Sequence, residues 1–531
     1  MGERFGFYTM MAILVMFLQA KFNMSSDKAG LIYSTFYFAI YALALLGGFI
    51  ADRTQNYKGV VASGVVIMFV GYILLAIPGM GLPMAIIGLG TIALGNGLFK
   101  GNLQALVGQM YDAPEYSKLR DTAYSIFYMG INVGAIFAPN AARAVRTWHL
   151  GRNGFTYDAE MTGLCNKMID GTLGDPAHFQ QLADKVSGQP VADLAAFAQR
   201  YLDVFSTGYN YAFAIAAVAM LISLTCYMTF KRHLPERKKA GAEGASDAPV
   251  MSKGEEKQRL MALLMVFLVV IFFWMSFHQN GLTMTFFARD YTVKTVSAGW
   301  NLAFNIWSLL SIGVAAGGLF TLVKPSSSSR ARMVGASLLA AGSILAYNFY
   351  RSFSANNPIE PETFQQFNAF FVVFLTPVVV SAFAWLRERQ MEPSAPRKIG
   401  IGMVIAALGF VILVIGSLGL PSPASLAGQP SAERVAAHWL INSYLILTFA
   451  ELFLSPMGLS FVSRVAPPRF QGLMQGCWLG ATAIGNQLLF VGSSMWSRIE
   501  IWQVWAIFIV CCLLSASVVF ILLKRLEAAT K

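Results

Sequence analysis

Charge and cysteine are both scarce. Only 12% of the 531 residues are Asp, Glu, Lys or Arg, too few to solvate the surface of a soluble chain of this length. The five cysteines (Cys165, Cys226, Cys477, Cys511, Cys512) include no CxxC pair, and the last two are adjacent within an apolar run. Neither a disulfide framework nor a metal site is indicated, and no cofactor is expected. HExxH, GxSxG and paired catalytic carboxylates are missing, which argues against a membrane-bound enzyme. No basic n-region with a short apolar stretch and a small-residue cleavage site comes first, so no cleavable secretory signal is expected.

What is abundant is apolar surface: 56% of residues are hydrophobic and the mean hydropathy is +0.56. This composition describes an all-α polytopic membrane protein embedded in a lipid bilayer. Apolar windows of about 20 residues fall near 5–20, 30–51, 60–79, 83–111, 121–145, 208–230, 260–287, 297–323, 331–350, 366–386, 399–420, 438–463, 472–494 and 501–523, which makes about fourteen transmembrane helices. The net charge of +12 points to membrane orientation and not to nucleic acid. Threading from a cytoplasmic start places the clusters Arg53/Lys58, Lys118/Arg120, KRHLPERKK (231–239), Lys324/Arg330/Arg332, Arg387/Arg389/Arg397/Lys398, Arg464/Arg469 and Lys524/Arg525 on one face. The positive-inside rule then puts both termini in the cytoplasm.

Two polar stretches interrupt the pattern: 147–200, expected to face outward, and 233–256, expected to be a cytoplasmic linker rich in Ala, Gly, Lys and Glu. The expected organisation is a six-helix bundle at 1–232, the linker at 233–256, and a second six-helix bundle at 257–531 that carries an inserted helix pair at about 297–350. The pair has no deep charge and returns the chain to the side it left. A position outside the core is expected for it.

A charge at the centre of a membrane helix costs roughly 2.5–3.5 kcal/mol on insertion scales, so those that persist are used. Helix ends aside, the sequence offers Glu3/Arg4, Lys100, His278 and Glu451. They fall on core spans 1, 4, 7 and 10, which occupy equivalent positions around a central cavity when each bundle is built from three-helix repeats. Glu3 and Arg4 are neighbours, about 100° apart on a helix, and each is expected to need a partner on a different helix. Position alone leaves Glu3 and Arg4 readable as a charged rim, His278 as a neutral packing residue, and Trp274 and Trp478 as packing aromatics.

The segments ERFGFY, GGFIADR (47–53), GNGLFKGNLQALVGQMY (95–111), RDTAYSIFYMGINVGAIFAP (120–139), FQQFNAFFVVFLTP (364–377), ELFLSPMGLSFVSRVAP (451–467) and FQGLMQGCW (470–478) resemble, in order, the proton-dependent oligopeptide transporter (POT) family of the major facilitator superfamily. The resemblance implies that superfamily's fold. It also implies proton coupling through Glu3, Arg4 and Lys100, and a peptide pocket lined by Arg4, Tyr8, Tyr41, Lys100, Asn132, Asn368, Glu451, Ser455 and Trp478, with Glu451 receiving the peptide's amino terminus. A zwitterionic peptide needs a cation at one end, an anion at the other and amide-competent groups between, and these residue types supply them. The family's helix 1 motif opens with a glutamate that would fall before Met1, so a late start of the chain is expected.

Three departures from the family pattern stand out. Phe7 replaces one tyrosine of a pair, Met11 stands where a second arginine is common, and His278 stands where many members carry a glutamate. Losing an arginine together with its glutamate partner leaves no orphan charge, so the outer gate is expected to close by other contacts, with His278 taking part of the proton response. The resulting expectation is a monomeric proton symporter in a bacterial inner membrane, importing di- and tripeptides by alternating access. The alternative is a relative that carries another small anion or a peptide-like compound.

Overall fold

The computed structural model describes residues 1–110, 120–234, 252–325, 327–426, 429–467 and 470–528. Lys118, most of the 233–256 linker and Arg469 therefore lie outside the described residues. The first bundle comprises α1 (Gly2–Phe22), α2 (Ser26–Thr54), α3 (Tyr57–Ala76), α4 (Leu82–Gln109) and α5 (Arg120–Arg152), then short α6 (Met161–Ile169) and α7 (Pro176–Ser187), and finally α8 (Leu194–Phe230). The second comprises α9 (Lys253–Phe277), α10 (Thr283–Asp290), α11 (Ala298–Phe304), α12 (Ile306–Val323), α13 (Ser329–Ser352), α14 (Gln366–Glu388), α15 (Ala395–Ser417), α16 (His438–Val465), α17 (Gln471–Gln487), α18 (Phe490–Trp496), α19 (Ile501–Ile521) and α20 (Leu523–Ala528). Among the described residues, eleven helical segments are long and apolar enough to cross a membrane. Helices α5, α16 and α17 take the remaining three of the fourteen expected positions.

Apolar side chains cannot drive helices together inside lipid, so close backbone approach does it instead. At the α3–α4 contact a Cβ on Gly95 would sit 2.6 Å from the Gly64 carbonyl oxygen and one on Gly64 would sit 2.7 Å from that of Gly95. Only glycine allows that approach. Helices α1 to α5 and α8 pack on one another, as do α9, α14 to α17 and α19. Between the two groups, α2 meets α17 and α18, and α5 meets α14.

Several expected spans have different limits or breaks. The expected span 208–230 begins at Leu194, where Asp193 caps α8 by accepting the Ala195 and Ala196 amides at 2.9 and 3.0 Å. At the other side α5 continues to Arg152, so the polar stretch 147–200 is not an open loop. Its middle, 153–193, folds into a small helical cap around Phe155, Leu164, Cys165, Phe179 and Phe197, all buried. Burying each of those phenylalanines contributes about 2–3 kcal/mol.

The expected span 260–287 breaks at His278–Gly281, a single 3-10 turn between α9 and α10. The expected span 472–494 breaks between α17 and α18. The two breaks face each other: the Gln279 side-chain amide donates to the Leu489 carbonyl at 3.1 Å and to the Met275 carbonyl at 3.2 Å. Backbone groups freed within a membrane must be satisfied inside the protein, and Gln279 does this for both helices.

Asn305 ends α11 and caps α12 by accepting the Trp307 and Ser308 amides, which splits the expected span 297–323. Helices α12 and α13 form a hairpin packed through glycines, with a Cβ on Gly342 meeting the Ser311 carbonyl at 2.6 Å. The buried positions of α13 are Gly335 and Gly342, and both face α12. The hairpin touches the core through Leu309, which packs with Ala135, Ile136, Ala369 and Phe370. An antiparallel ladder pairs Thr295 with Pro358 and Val296 with Asn357, so the chain enters and leaves the hairpin at one point. Deleting residues 297–350 and bridging the ends with a short polar linker is therefore expected to leave substrate binding measurable by thermal shift. Complete loss of binding in a folded variant would place the hairpin in the transport core.

Candidate functional site

Helices α1, α2, α5, α14 and α16 and the break after α9 enclose a cavity of about 90 Å³. Its wall includes Tyr8, Met11, Asn132, His278, Asn368 and Glu451, together with Tyr33, Tyr37, Asn280 and Gln365. Five residues expected at the site therefore share one wall. Asn368 lies on α14 and Glu451 on α16, and the Asn368 amide donates to Glu451 Oε2 at 3.0 Å and to Thr448 at 3.1 Å. That amide holds the carboxylate in place while leaving Glu451 Oε1 for another donor.

The cations stand next to this wall across aromatic rings. The Arg4 guanidinium lies 4.8 Å from the centre of the Phe7 ring, and Phe7 in turn packs on Tyr8 and Tyr37. The Lys100 ammonium lies 3.7 Å from the centre of the Tyr41 ring, which neighbours Tyr37 at 6.0 Å. A cation over a ring face is attracted by the ring quadrupole without being neutralised by the ring.

The expectation that the neighbours Glu3 and Arg4 cannot satisfy one another is overturned, and the carboxylate partner of Arg4 is not on a different helix. Arg4 Nε donates to Glu3 Oε2 at 2.5 Å and a second nitrogen binds Glu3 Oε1, giving a two-pronged pair between neighbours. The reason is reach: adjacent Cβ atoms diverge, but the long arginine side chain folds back on a burial site that excludes water. Asn96 on α4 donates to Glu3 Oε1 at 3.0 Å and completes the shell. Both residues are buried, at 3% and 8% exposure, so a solvated rim does not describe them.

His278 sits at the helix break and joins the two bundles. Its Nδ1 lies 2.5 Å from Asn486 Oδ1, and its Nε2 lies 3.3 Å from the Tyr37 hydroxyl on α2. Trp274 stacks on the ring at 4.7 Å. Asn486 Oδ1 accepts, so Nδ1 carries the proton and Nε2 accepts from Tyr37 in the neutral form. Among the described residues, Ser455 and Trp478 lie outside the cavity wall. The Trp478 ring rests against Gly458 on α16 and is 4% exposed.

A further set of charges is not announced by the apolar windows. Arg146 on α5 is fully buried and binds both Glu360 and Glu362, which precede α14 in the other bundle. The guanidinium also lies 4.3 Å from the Tyr157 ring and donates to the Tyr209 hydroxyl at 3.1 Å. Deep charge is thus not confined to the four helices singled out from sequence. The apolar window ends at 145, one residue short of Arg146, and the helix continues beyond it. The signal available is the acidic pair in IEPE next to an arginine-bearing helix of the other half.

Above Arg146 the cap reaches across. Lys294 binds Glu160 Oε1 at 2.5 Å and Asp158 at 3.2 Å, Arg434 stands 3.7 Å from Glu160, and His178 lies 3.0 Å from Glu160 Oε2. Burial alone would push the Glu160 carboxyl up, but hydrogen bonds from Lys294 and His178 outweigh it and hold it below the ordinary glutamate value.

Comparison with known proteins fits this geometry. The POT family model matches residues 58–251 and 343–530. The chain is 26% identical over 520 residues to the peptide transporter YePEPT of Yersinia enterocolitica, covering 92% of this chain and 84% of that one. It is 25% identical over 497 residues to dipeptide and tripeptide permease A of Edwardsiella piscicida, covering 91% and 81%. Among solved structures, a mutant peptide transporter POT in complex with alafosfalin superposes with a TM-score of 0.66 at 19% identity, covering 100% of this chain and 93% of that one. A POT family transporter in complex with 5-aminolevulinic acid superposes with a TM-score of 0.66 at 18% identity, covering 100% and 95%. With two helix bundles around a cavity that carries a deep carboxylate and has buried cations beside it, and with the family's sequence pattern running through both halves, this chain belongs to the POT family and has the major facilitator fold.

Proposed function

We propose that this protein is a proton-coupled symporter that imports di- and tripeptides by alternating access, acting as a monomer in a bacterial inner membrane with both termini cytoplasmic and the cap outside. The observation that carries the reading is the placement of a deep carboxylate, Glu451, on the same aromatic and amide-lined wall that Arg4 and Lys100 approach through Phe7 and Tyr41. A peptide ammonium pairs with Glu451 and its carboxylate with Lys100 and Arg4, while Asn132, Asn368 and Tyr8 bond its amides. Relatives named as peptide transporter and as dipeptide and tripeptide permease support the substrate class.

The coupling ion is the proton, and no cofactor takes part. Protonation of Glu3 releases the two-pronged hold on Arg4, which then turns to the substrate carboxylate. Substrate at Lys100 and Glu451 completes the neutralisation that lets the two bundles rock about the cavity. Ser455 and Trp478 approach the substrate in a different position of the bundles. A 90 Å³ cavity is below the size of typical ligand pockets, so the bundles must separate to admit a peptide.

Uptake into proteoliposomes with and without an inward proton gradient tests the reading. Accumulation of dipeptide that depends on the gradient is expected, together with thermal stabilisation by dipeptides and not by single amino acids or nitrate. Stabilisation by nitrate alone would favour the small-anion alternative instead.

His278 supplies a second proton-responsive contact in this scheme. A proton added at Nε2 turns the Tyr37 hydroxyl from donor to acceptor, altering a bond between the bundles. Replacing His278 by Gln is expected to change the pH profile of gradient-driven uptake more than it changes affinity. Superimposable profiles would make His278 a packing residue.

A further inference from the structure

The cap, residues 153–193, belongs by connection to the first bundle, yet its acidic residues meet cations of the second. Glu160 and Asp158 both contact Lys294, and Glu160 also faces Arg434. These cations stand on two linked segments of the second bundle. The Val293 amide donates to the Val435 carbonyl at 3.0 Å and the Val435 amide to the Tyr291 carbonyl at 2.7 Å, which ties the segment after α10 to the one before α16. On the cap side, Asp158 is held at the base of α6, where its Oδ1 accepts the Glu160 amide at 3.0 Å, and His178 of α7 braces Glu160.

The cap also has weight beneath it. Tyr157 covers the Arg146 guanidinium, whose partners Glu360 and Glu362 again belong to the second bundle. Below the cap lies a cavity of about 400 Å³ whose wall combines cap residues Thr162, Asn166 and Asp170 with Arg289 of the second bundle. When the bundles separate on this side, the contacts of Asp158 and Glu160 with Lys294 and Arg434 and those of Arg146 with Glu360 and Glu362 must break, because their two halves move with different bodies.

We propose that the cap is a strap that holds the outer face of the transporter closed, with Asp158 and Glu160 as its hook and Lys294 and Arg434 as its catch. Lys294 and Glu160 are partly exposed, so their contact releases readily and the strap biases the equilibrium between closed and open outer faces without locking it. It acts where the family's arginine at the Met11 position and glutamate at the His278 position are both missing. The inference rests on the alternating-access reading, but its test needs neither substrate nor gradient, so its outcome is separate from that of the uptake assay.

The test is a distance measurement across the outer face. Spin labels are placed at exposed Gln181 on α7 and exposed Ala424 in the second bundle. The full chain is used in lipid nanodiscs, with the five native cysteines replaced by alanine and the melting temperature unchanged. Neutralising the hook with Asp158→Asn and Glu160→Gln is expected to raise the population of long distances about fivefold at low salt. Neutralising the catch with Lys294→Gln and Arg434→Gln is expected to do the same, and all four changes together to do no more than either pair. An unchanged distance distribution would overturn the proposal. So would additive effects of hook and catch, since independent residues add and contacting ones do not.

Discussion

Glu451→Gln is expected to lower gradient-driven dipeptide uptake by about two orders of magnitude, in line with the ~2–5 kcal/mol lost when one partner of a buried, hydrogen-bonded charge pair is removed. The substitution is close to isosteric, and the new side-chain carbonyl still accepts the hydrogen bond that the Asn368 amide gives to Glu451 Oε2 at 3.0 Å. The local packing of α14 and α16 is therefore retained, and what disappears is the negative charge that receives the peptide ammonium. Thermal shift should show a folded protein that dipeptides no longer stabilise. Uptake and affinity near those of the unmodified protein would remove Glu451 from the site.

Much of this site is legible in the sequence, for a reason visible at Lys100 and Glu451. A charge in the middle of an apolar window is costly wherever it points, so its retention is itself a signal of use. Hydropathy is a poorer guide to what such a charge touches. Cβ directions set Glu3 and Arg4 apart, but side chains with several rotatable bonds are not bound by those directions, and the two pair with each other. The breaks at His278–Gly281 and between α17 and α18 are harder to read: the polar run HQNG interrupts the apolar window at the first without showing that the helix ends there. The residue that makes them tolerable, Gln279, acts by bonding a carbonyl 210 positions away. Likewise, Trp478 carries an aromatic signature that fits both a substrate contact and a packing residue. Only its contact with Gly458 shows what it touches with the bundles in this arrangement.

The most destabilising single change is expected at Arg146. Its side chain has no exposed surface, and it faces two carboxylates, Glu360 and Glu362, of which the second is also fully buried. Arg146→Met keeps the length and apolar stem of the side chain but leaves both carboxylates without their cation, a loss of about 3–5 kcal/mol for a buried pair broken on one side. The partners belong to different bundles, so the protein has two ways to shed that cost: it unfolds at lower temperature, or it parts the bundles and returns Glu360 and Glu362 to water. A melting curve reads the first route and labelling of an introduced outer-face cysteine by an impermeant maleimide reads the second, and at least one must change. The triple variant Arg146→Met, Glu360→Gln, Glu362→Gln removes both carboxylates together with the arginine and is expected to melt above the single variant, because the buried anions that lost their cation are gone. A single variant indistinguishable from the unmodified protein in both measurements would mean that water already reaches these carboxylates and that Arg146 does not bind the two bundles together.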